Sequence, residues 1–245
     1  MRQFGLIGYP LSHSFSKKYF TEKFAAEGIS GCNYELYPIE SIDLFPSLLQ
    51  DIAGLEGLNV TIPYKESVLP FLHEQSTAVQ EIGACNCIRI RSGKLTGFNT
   101  DVVGFRQSIE PLLQSHHKNA LVLGTGGAAK AVVWVLKQLG IAYSYVSRTK
   151  AEGVLGYDDI TAELLKNYPL VINTTPLGMQ PNVHAKPSLP YEAVTEDFLF
   201  YDLVYNPAKT AFLEAAEQQG ATIKNGADML IIQAEESWKI WNSSL

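Results

Sequence analysis

Three observations predict an α/β fold in more than one domain. Strand-like and helix-like stretches alternate along most of the 245 residues. The apolar run Ala120-Leu121-Val122-Leu123 leads into the glycine turn Gly124-Thr125-Gly126-Gly127 and then into a helix-period segment. The chain is long enough for one large or two small domains, and 46% hydrophobic residues supply a sizeable core.

In the helix after the turn, Ala131, Val132, Val135, Leu136 and Leu139 recur at helical spacing, and Gly140 can end it. The glycines fit G-x-G-x-x-G/A: Gly124 makes the tight turn, Gly126 lets backbone approach a pyrophosphate, and Ala129 packs helix on strand. The helix start at Gly127 and Ala128 offers unpaired N–H groups and a positive dipole end to phosphates. A lone glycine pattern is as often a structural turn; the strand before it and the helix after it favour a nucleotide site.

Net charge is −6, which argues against a nucleic-acid surface. No apolar run reaches membrane-spanning length, and Met1-Arg2-Gln3-Phe4-Gly5 lacks a secretory pattern. Three cysteines are too few for a disulfide framework and suit a reducing cytoplasm. No low-complexity tract or long-period repeat is present.

Taken in order, residues 4–8 read as the first strand, broken at Gly8-Tyr9-Pro10. In extended backbone Ser14 and Ser16 point the same way, so both hydroxyls can serve one polar ligand. The simpler alternative has Ser16 capping a helix that runs to Gly28, which leaves Ser14 idle. Residues 33–37 alternate as a second strand, and 41–49 read as a helix with Leu44, Phe45, Leu48 and Leu49 on its apolar face. Leu58-Asn59-Val60-Thr61-Ile62 is a strand stopped by Pro63, and Lys65 stands at that edge, where α/β folds hold ligands. A lone lysine is otherwise a solvated surface group. Residues 76–82 form a short helix ended by Gly83, 84–90 a strand, and Ser92-Gly93 a hairpin turn into 95–99. Cys85 and Cys87 share one strand face and Asn86 points the other way. With no second Cys or His pair at zinc-finger spacing, both cysteines read as small buried hydrophobes rather than metal ligands.

Asn99-Thr100-Asp101 ends a strand and opens a helix that carries Phe105, Ile109, Leu112 and Leu113 and is interrupted at Pro111. Read locally, Asp101 is an N-cap. This helix is the expected hinge between a first domain and the nucleotide domain. Past the glycine turn, 143–146 is a second strand ending in Ser147-Arg148-Thr149-Lys150. An NAD site usually places Asp or Glu about 20 residues past the glycines, on the ribose 2′-OH. None stands here, and Arg148 and Lys150 can neutralise a 2′-phosphate, which favours NADP over NAD. The alternative is that Arg148 is a solvated loop charge. One helix lies within 157–167, a third strand at 170–173 before Thr174-Thr175-Pro176, and a fourth at 198–204 before Tyr205-Asn206-Pro207. A helix at 210–219, a short strand at 221–224 and an apolar helix at 227–241 complete the chain. Trp238 and Trp241 fit a core or an interface equally. Gln233, inside the apolar run, is either a satisfied core amide or faces a polar ligand.

Several motifs now stand together: Gly8-x-Pro10-x-x-His13-Ser14-x-Ser16, Asn59-Val60-Thr61-Ile62-Pro63-Tyr64-Lys65, Gly83-Ala84-x-Asn86, Gly97-x-Asn99-Thr100-Asp101-x-x-Gly104, Asn173-x-Thr175-Pro176-x-Gly178-Met179, Asp202-x-x-Tyr205-x-Pro207 and Met229-Leu230-x-x-Gln233. In this order and over nearly the whole chain they resemble the shikimate dehydrogenase family. The resemblance implies a substrate-binding α/β domain of residues 1–101 with 226–245, and a Rossmann-like NADP-binding domain of residues 102–225, the last helix returning to the first domain. It implies that Lys65 and Asp101 are the catalytic pair and that Ser14, Ser16, Thr61, Asn86, Tyr205 and Gln233 line the shikimate site. By the same match Gly124, Gly126, Gly127, Ala128, Ser147, Arg148, Thr149 and Lys150 hold NADP(H), and Leu203 and Gly226 flank the nicotinamide.

The implied activity is reversible reduction of 3-dehydroshikimate to shikimate by hydride transfer from NADPH, in the cytoplasmic route to chorismate and the aromatic amino acids. A monomer or homodimer with no metal, nucleic-acid or membrane partner is expected. Reducing a ketone builds negative charge on its oxygen. On this reading Lys65 stabilises that oxygen and hands it a proton, while Asp101 holds the lysine and a ring hydroxyl. Ser14 and Ser16 bind the carboxylate, and Asn86, Thr61 and Gln233 read ring hydroxyls.

The chain departs from the family pattern in places. Lys17, Lys18, Tyr19 and Phe20 follow the second serine where Pro and His–Asn are usual. Asn86-Cys87 replaces Asn–Thr, Ser147 replaces the Asn of Asn-Arg-Thr, and Thr77 stands where an acidic residue often occurs. The segment between Arg148 and Val171 is short by one helix of the nucleotide domain, which loosens the adenine side. Two alternatives accompany the main reading: a quinate/shikimate dehydrogenase with relaxed cofactor use, and a non-catalytic sensor of the acid. Retention of both Lys65 and Asp101 argues against the sensor, since pure binding needs no proton donor.

Overall fold

The computed structural model describes residues 1–11, 14–149 and 151–243. Its strands and α-helices follow in the order β1 (Arg2–Gly8), α1 (Phe15–Ala26), β2 (Cys32–Pro38), α2 (Phe45–Asp51), β3 (Leu55–Val60), β4 (Glu74–Gln75), α3 (Thr77–Ile82), β5 (Cys87–Arg91), β6 (Lys94–Phe98), α4 (Asp101–Ile109), β7 (Asn119–Leu123), α5 (Gly127–Gln138), β8 (Ala142–Ser147), β9 (Val154–Gly156), α6 (Ala162–Leu165), β10 (Leu170–Asn173), β11 (Leu199–Asp202), α7 (Ala211–Glu217), β12 (Thr222–Lys224) and α8 (Ala227–Asn242). Two compact units divide it. One holds Met1–Thr100 with Ala234–Leu245, the other Asp101–Gln233. The part of α8 up to Gln233 thus counts with the second unit, whereas the sequence reading gave all of 226–245 to the first domain.

In the first unit the sheet order is β2-β1-β3-β5-β6-β4. β1 runs parallel to β2 and β3, and β5 and β6 form an antiparallel hairpin. The hairpin closes on Ser92 (φ 48°) and Gly93 (φ 77°), the left-handed pair that a tight two-residue loop requires. β1 is central, so both of its faces are apolar. Phe4 and Leu6 join Phe20, Tyr34 and Trp241 on one side, and Ile7 joins Phe45, Leu58, Val60, Val79 and Ile88 on the other. Trp241 is fully buried, stacks on Phe4 at 4.9 Å and donates its indole N–H to the Ile88 carbonyl at 3.0 Å, so it belongs to the core. A Cβ at Gly57 would lie 2.4 Å from the Trp241 ring, which is why this strand position carries no side chain.

Charge clamps α8 to α1. Lys23, with 8% of its side chain exposed, donates to Glu235 at 2.9 Å and to Glu27 at 2.7 Å. The Tyr19 hydroxyl also donates to Glu235. Burial pushes the Glu235 pKa up, but the Tyr19 and Lys23 hydrogen bonds outweigh it and hold the carboxyl below its ordinary range.

In the second unit every strand pair is parallel, in the order β12-β11-β10-β7-β8-β9. The direction of winding reverses between β7 and β10, the switch point at which doubly wound sheets take their ligands. α5 buries Ala131, Val132, Val135 and Leu136 of the stripe read from the sequence, with Ala129, while Leu139 is the partly buried C-cap.

Several local expectations give way. Ser14, not Ser16, caps α1: Ser14 is extended (φ −115°, ψ 117°) and its hydroxyl accepts the Lys17 N–H at 3.4 Å, while Ser16 lies in the first helical turn. β5 begins only at Cys87, so strand alternation does not reach Cys85. Cys85 packs with Ile7 and Val79, and Cys87 with Phe4 and Trp241, in different clusters. Residues 157–167 hold no continuous helix but a 3-10 turn, Tyr157–Asp159, and the single-turn α6. β9 was not legible, since Val154-Leu155 is too short a run to register. It pairs Gly156 with Ser147 after a connection of residues 148–153, in which no helix occurs among the described residues.

Gly57→Ala is expected to displace the Trp241 ring and to cost about 1–3 kcal/mol in urea unfolding. Because the folded-state pKa of Glu235 is lowered, its stabilisation is complete above the ordinary carboxylate range and drains away as pH falls through the lowered value. Glu235→Gln should therefore unfold at less urea than the unsubstituted chain at pH 7, and the gap should close in acid. An equal gap at both pH values would refute this origin.

Candidate functional site

In the first unit β1 and β3 end side by side. The Thr61 N–H donates to the Ile7 carbonyl at 2.9 Å, and a Cβ at Gly8 would lie 2.4 Å from the Thr61 methyl. Thr61 thus leaves the sheet at the carboxyl ends of parallel strands, where α/β folds bind ligands. The turn that follows is anchored by buried Tyr64, whose N–H donates to the Thr61 carbonyl at 2.9 Å and whose hydroxyl donates to the Ile39 carbonyl at 2.5 Å. Lys65 comes next, half-buried, with its carbonyl accepting the Cys85 N–H at 2.7 Å. That bond ties the lysine to the segment carrying Asn86. Burial pushes the Cys85 thiol up to about 12, against weaker opposing pulls from backbone N–H groups and the Lys65 charge. A thiol so held stays protonated and is a poor nucleophile.

Asn86 is 4% exposed, and its side-chain oxygen accepts the Thr100 N–H at 2.6 Å and the Thr100 hydroxyl at 3.2 Å. Ser14 and Ser16 sit at the start of α1, whose first turn carries no acidic residue, so a carboxylate there meets hydroxyls and the positive helix end. Lys17, next in line, is paired with Glu35 at 2.5 Å.

In the second unit Gly124 follows β7 with φ 106°, and a Cβ there would lie 2.7 Å from the Thr174 hydroxyl at the end of β10. The turn therefore tolerates only glycine at the switch point. Gly126 precedes α5 and no side chain caps the helix. A Cβ at Gly126 or Gly127 would meet nothing within 4 Å, so the space over the first N–H groups, including those near Ala128, is open. At the end of β8, Ser147 accepts the Thr149 N–H at 3.3 Å and Arg148 is exposed; no carboxylate stands in this stretch. The residues fit a dinucleotide: uncapped N–H groups for the pyrophosphate, and an exposed cation with no repelling acid for a 2′-phosphate.

Also in this unit, Gly226 packs against Leu203, with a Cβ at Gly226 only 2.2 Å from the Leu203 carbonyl oxygen. Leu203 is aimed by Asp202. That carboxylate is fully buried and accepts the Thr210 hydroxyl at 2.6 Å, the Val204 N–H at 3.0 Å and the Asn173 amide at 3.0 Å. Burial lifts its pKa to about 6, against these hydrogen bonds. Tyr205, just beyond, is 38% exposed. Asp101 is half-buried at the start of α4, and Gln233 spends one amide hydrogen on the Leu230 carbonyl of its own helix at 3.0 Å.

Within each unit the expected residues gather at strand ends: Thr61, Lys65 and Asn86 in the first, the glycine turn with Thr174 and Leu203 with Gly226 in the second. Asp101, Tyr205 and Gln233 count with the second unit. His13 and Lys150 lie outside the described residues. Sequence reasoning passed over Tyr34, Asn59, Thr100 and Ser237, buried polar residues behind Asn86, and the Asn173–Asp202–Thr210 cluster. The available signal was a polar residue inside an otherwise apolar stretch, as in Leu58-Asn59-Val60 and Tyr201-Asp202-Leu203. Among the described residues no three His, Cys, Asp or Glu side chains gather as a metal site, and no helix is long and apolar enough to cross a membrane.

Residues 6–88 match the model of the shikimate dehydrogenase substrate binding domain. Among curated relatives, the NADP(+)-named shikimate dehydrogenase of Carboxydothermus hydrogenoformans is 39% identical over 97% of this chain and 90% of its own length. That of Halothermothrix orenii is 38% identical over 97% of this chain and 89% of its own. The crystal structure of shikimate 5-dehydrogenase from Thermus thermophilus in complex with NADP(H) and shikimate superposes with a TM-score of 0.87 at 30% identity, covering 99% of this chain and 94% of that one. Similarity at this level along almost the entire length, on top of a doubly wound nucleotide unit and a separate α/β unit matching a substrate-binding model, settles the kinship: the chain belongs to the shikimate dehydrogenase family.

Proposed function

We propose that this chain interconverts 3-dehydroshikimate and shikimate with NADP(H), in the biosynthesis of aromatic amino acids. The observation that carries the reading is the coexistence of two complete strand-end sites in one chain: Thr61-x-x-x-Lys65 after β3 with Asn86 beside it, and the uncapped glycine turn after β7 with Arg148 after β8. When bound, the nicotinamide exchanges a hydride with the substrate carbon that bears the reacting oxygen.

The remaining chemistry belongs to this chain. The Lys65 ammonium faces the oxygen on which negative charge grows during ketone reduction and delivers its proton there; in the reverse direction it takes that proton back. Asp101 orients the lysine and accepts from a ring hydroxyl. Ser14 and Ser16 donate to the carboxylate, Thr61, Asn86 and Gln233 fix the ring hydroxyls, and Tyr205 lines the same pocket. Leu203 and Gly226 shape the nicotinamide side, where the glycine lets its backbone pack directly on the Leu203 carbonyl. Arg148, with Ser147, Thr149 and Lys150, takes the 2′-phosphate. A cytoplasmic monomer or homodimer fits a chain whose cysteines, Cys32, Cys85 and Cys87, are all free thiols.

Lys65→Ala should lower kcat for shikimate oxidation by about 10²–10⁴-fold with a much smaller rise in KM, read from NADPH absorbance. Near-normal turnover would remove Lys65 from the mechanism. Arg148→Ala should raise the KM for NADP+ by about tenfold or more while that for NAD+ barely moves. Equal effects on both cofactors would show that Arg148 does not read the 2′-phosphate. Running the unsubstituted chain with shikimate and quinate, each with NADP+ and NAD+, tests the substrate itself, and no turnover in any pairing overturns the assignment.

A further inference from the structure

The second unit buries one charge that the proposed chemistry does not use. Asp202, the last residue of β11, is 0% exposed. Its carboxylate accepts from three donors, and all three are neutral. Asn173 Nδ2 and the Val204 N–H each donate to Oδ1 at 3.0 Å, and the Thr210 hydroxyl donates to Oδ2 at 2.6 Å. The Asn173 amide cannot be turned over, because its Oδ1 accepts the Thr175 N–H at 3.1 Å. The Thr210 oxygen receives the Leu213 N–H at 3.4 Å and gives its hydrogen to the carboxylate, which when ionised only accepts.

Among the described residues no cation answers this charge. Two tyrosines feel it, Tyr201 on β11 itself and Tyr191 in the 3-10 turn Tyr191–Ala193. Burial pushes both hydroxyls up, so both are neutral near pH 7; Tyr201 shares a hydrogen bond with Ser108 at 2.6 Å, and Tyr191 donates to the Pro187 carbonyl at 2.9 Å. Lys209, just before Thr210, is committed to Glu217 at 2.6 Å. Lys224, opposite Tyr201 on β12, is committed to Asp228. Buried carboxylates are ordinarily paired with a cation. Here burial outweighs the hydrogen bonds and lifts the pKa to about 6. A neutral amide of the same shape would carry no such burden, so the charge itself calls for an explanation.

Its place in the fold supplies one. Asp202 ends β11 at the carboxyl edge of the parallel sheet. Leu203 comes next, with its N–H on the Asn173 carbonyl at 2.9 Å and Gly226 packed on its own carbonyl. On the proposed reading those two residues flank the nicotinamide. That ring is neutral in NADPH. When its C–H bond breaks, the hydrogen leaves with both bonding electrons for the substrate carbonyl carbon, the carbonyl oxygen takes a proton from Lys65, and the ring keeps one positive charge. We propose that Asp202, which touches neither substrate nor cofactor, supplies a fixed negative charge that favours the oxidised, cationic nicotinamide over the reduced, neutral one. The proposal rests on the placement of the nicotinamide at Leu203 and Gly226. Charge acts across a low-dielectric interior without contact, and the three neutral donors orient the carboxylate while leaving its net charge intact.

The test uses the full chain and calorimetric titration with NADP+, NADPH and 2′,5′-ADP, which lacks the nicotinamide, in the absence of substrate. Asp202→Asn removes the charge and keeps the shape, and its new amide can donate to the Thr210 oxygen. The ratio of the NADPH Kd to the NADP+ Kd should fall by about three- to tenfold in this variant, with the Kd for 2′,5′-ADP unchanged. A merely structural role predicts that all three affinities move together or that only the melting temperature drops, and either result overturns the proposal. Should Asp202→Asn fail to fold, the same ratio in the unsubstituted chain decides: it should fall as pH is lowered from about 8 to about 5, through the Asp202 pKa of about 6. The 2′-phosphate titrates in the same range but is common to both cofactors and cancels in the ratio. A flat ratio overturns the proposal. Leu203→Trp, which crowds the nicotinamide side, should weaken NADP+ and NADPH and spare 2′,5′-ADP. If it spares all three, the nicotinamide lies elsewhere and the proposal falls with that placement. Failure of the broader function shows separately, as an unsubstituted chain that binds neither cofactor.

Discussion

Parallel strands end with backbone groups that no further ladder can satisfy, and burying those ends is possible only if side chains complete the hydrogen bonds. Both units solve this with a short polar residue set into an apolar strand. In the first, Asn59 near the end of β3 bonds the Asn86 carbonyl across to the neighbouring segment. In the second, Asp202 closes β11 by accepting from the Val204 N–H, and Asn173 closes β10 by bonding Asp202. The residues proposed to bind ligands are the next ones along the chain: Thr61 and Lys65 after Asn59, Leu203 and Tyr205 after Asp202. Their positions are consequences of how the strand ends are tied.

Those ties also carry an electrostatic burden. Asp202 is held in a fully buried place where desolvation lifts its pKa to about 6 even with three donors around it. A carboxylate in that position works against folding near neutral pH, since its raised pKa means that its stabilisation is full only below the unfolded value and is lost as pH rises through about 6. The geometry it imposes on Val204 and Thr210 is what the fold retains in exchange. The first unit avoids this cost by tying its strand ends with neutral amides and hydroxyls.

The alternation of strands and helices, the glycine turn with the helix after it, and the strand ends at Thr61 and Asn173 could be read in advance because each is local: a period, a breaker, or a polar residue after an apolar run. What could not be read depends on pairing across distance. β9 is three residues long and exists because β8 offers it an edge. Cys85 and Cys87 looked equivalent by alternation, yet β5 starts between them, and the Lys65 carbonyl that captures the Cys85 N–H lies 20 positions away in sequence. Ser14 took the cap because the helix begins at Phe15, two residues earlier than a cap at Ser16 implies. Ser237 gave no signal at all. A serine between Glu236 and Trp238 is ordinary until Asn59 and Thr100 are seen to meet it.

The short link between β8 and β9 bears on how the nucleotide side can discriminate. With no helix among residues 148, 149 and 151–153, Arg148 stands exposed at the end of β8, in water rather than in a walled pocket. A charge pair in that setting gains little at high dielectric and is screened by salt, whereas a bidentate guanidinium–phosphate contact adds geometry that bulk water does not dilute. Preference for a 2′-phosphate at such a corner must come from the shape of that contact together with the absence of a repelling carboxylate. On the proposed reading, the open glycine turn after β7 takes the pyrophosphate that both dinucleotides share. On that reading affinity and selectivity fall to two different strand ends of one sheet, and the short link between β8 and β9 borders only the second.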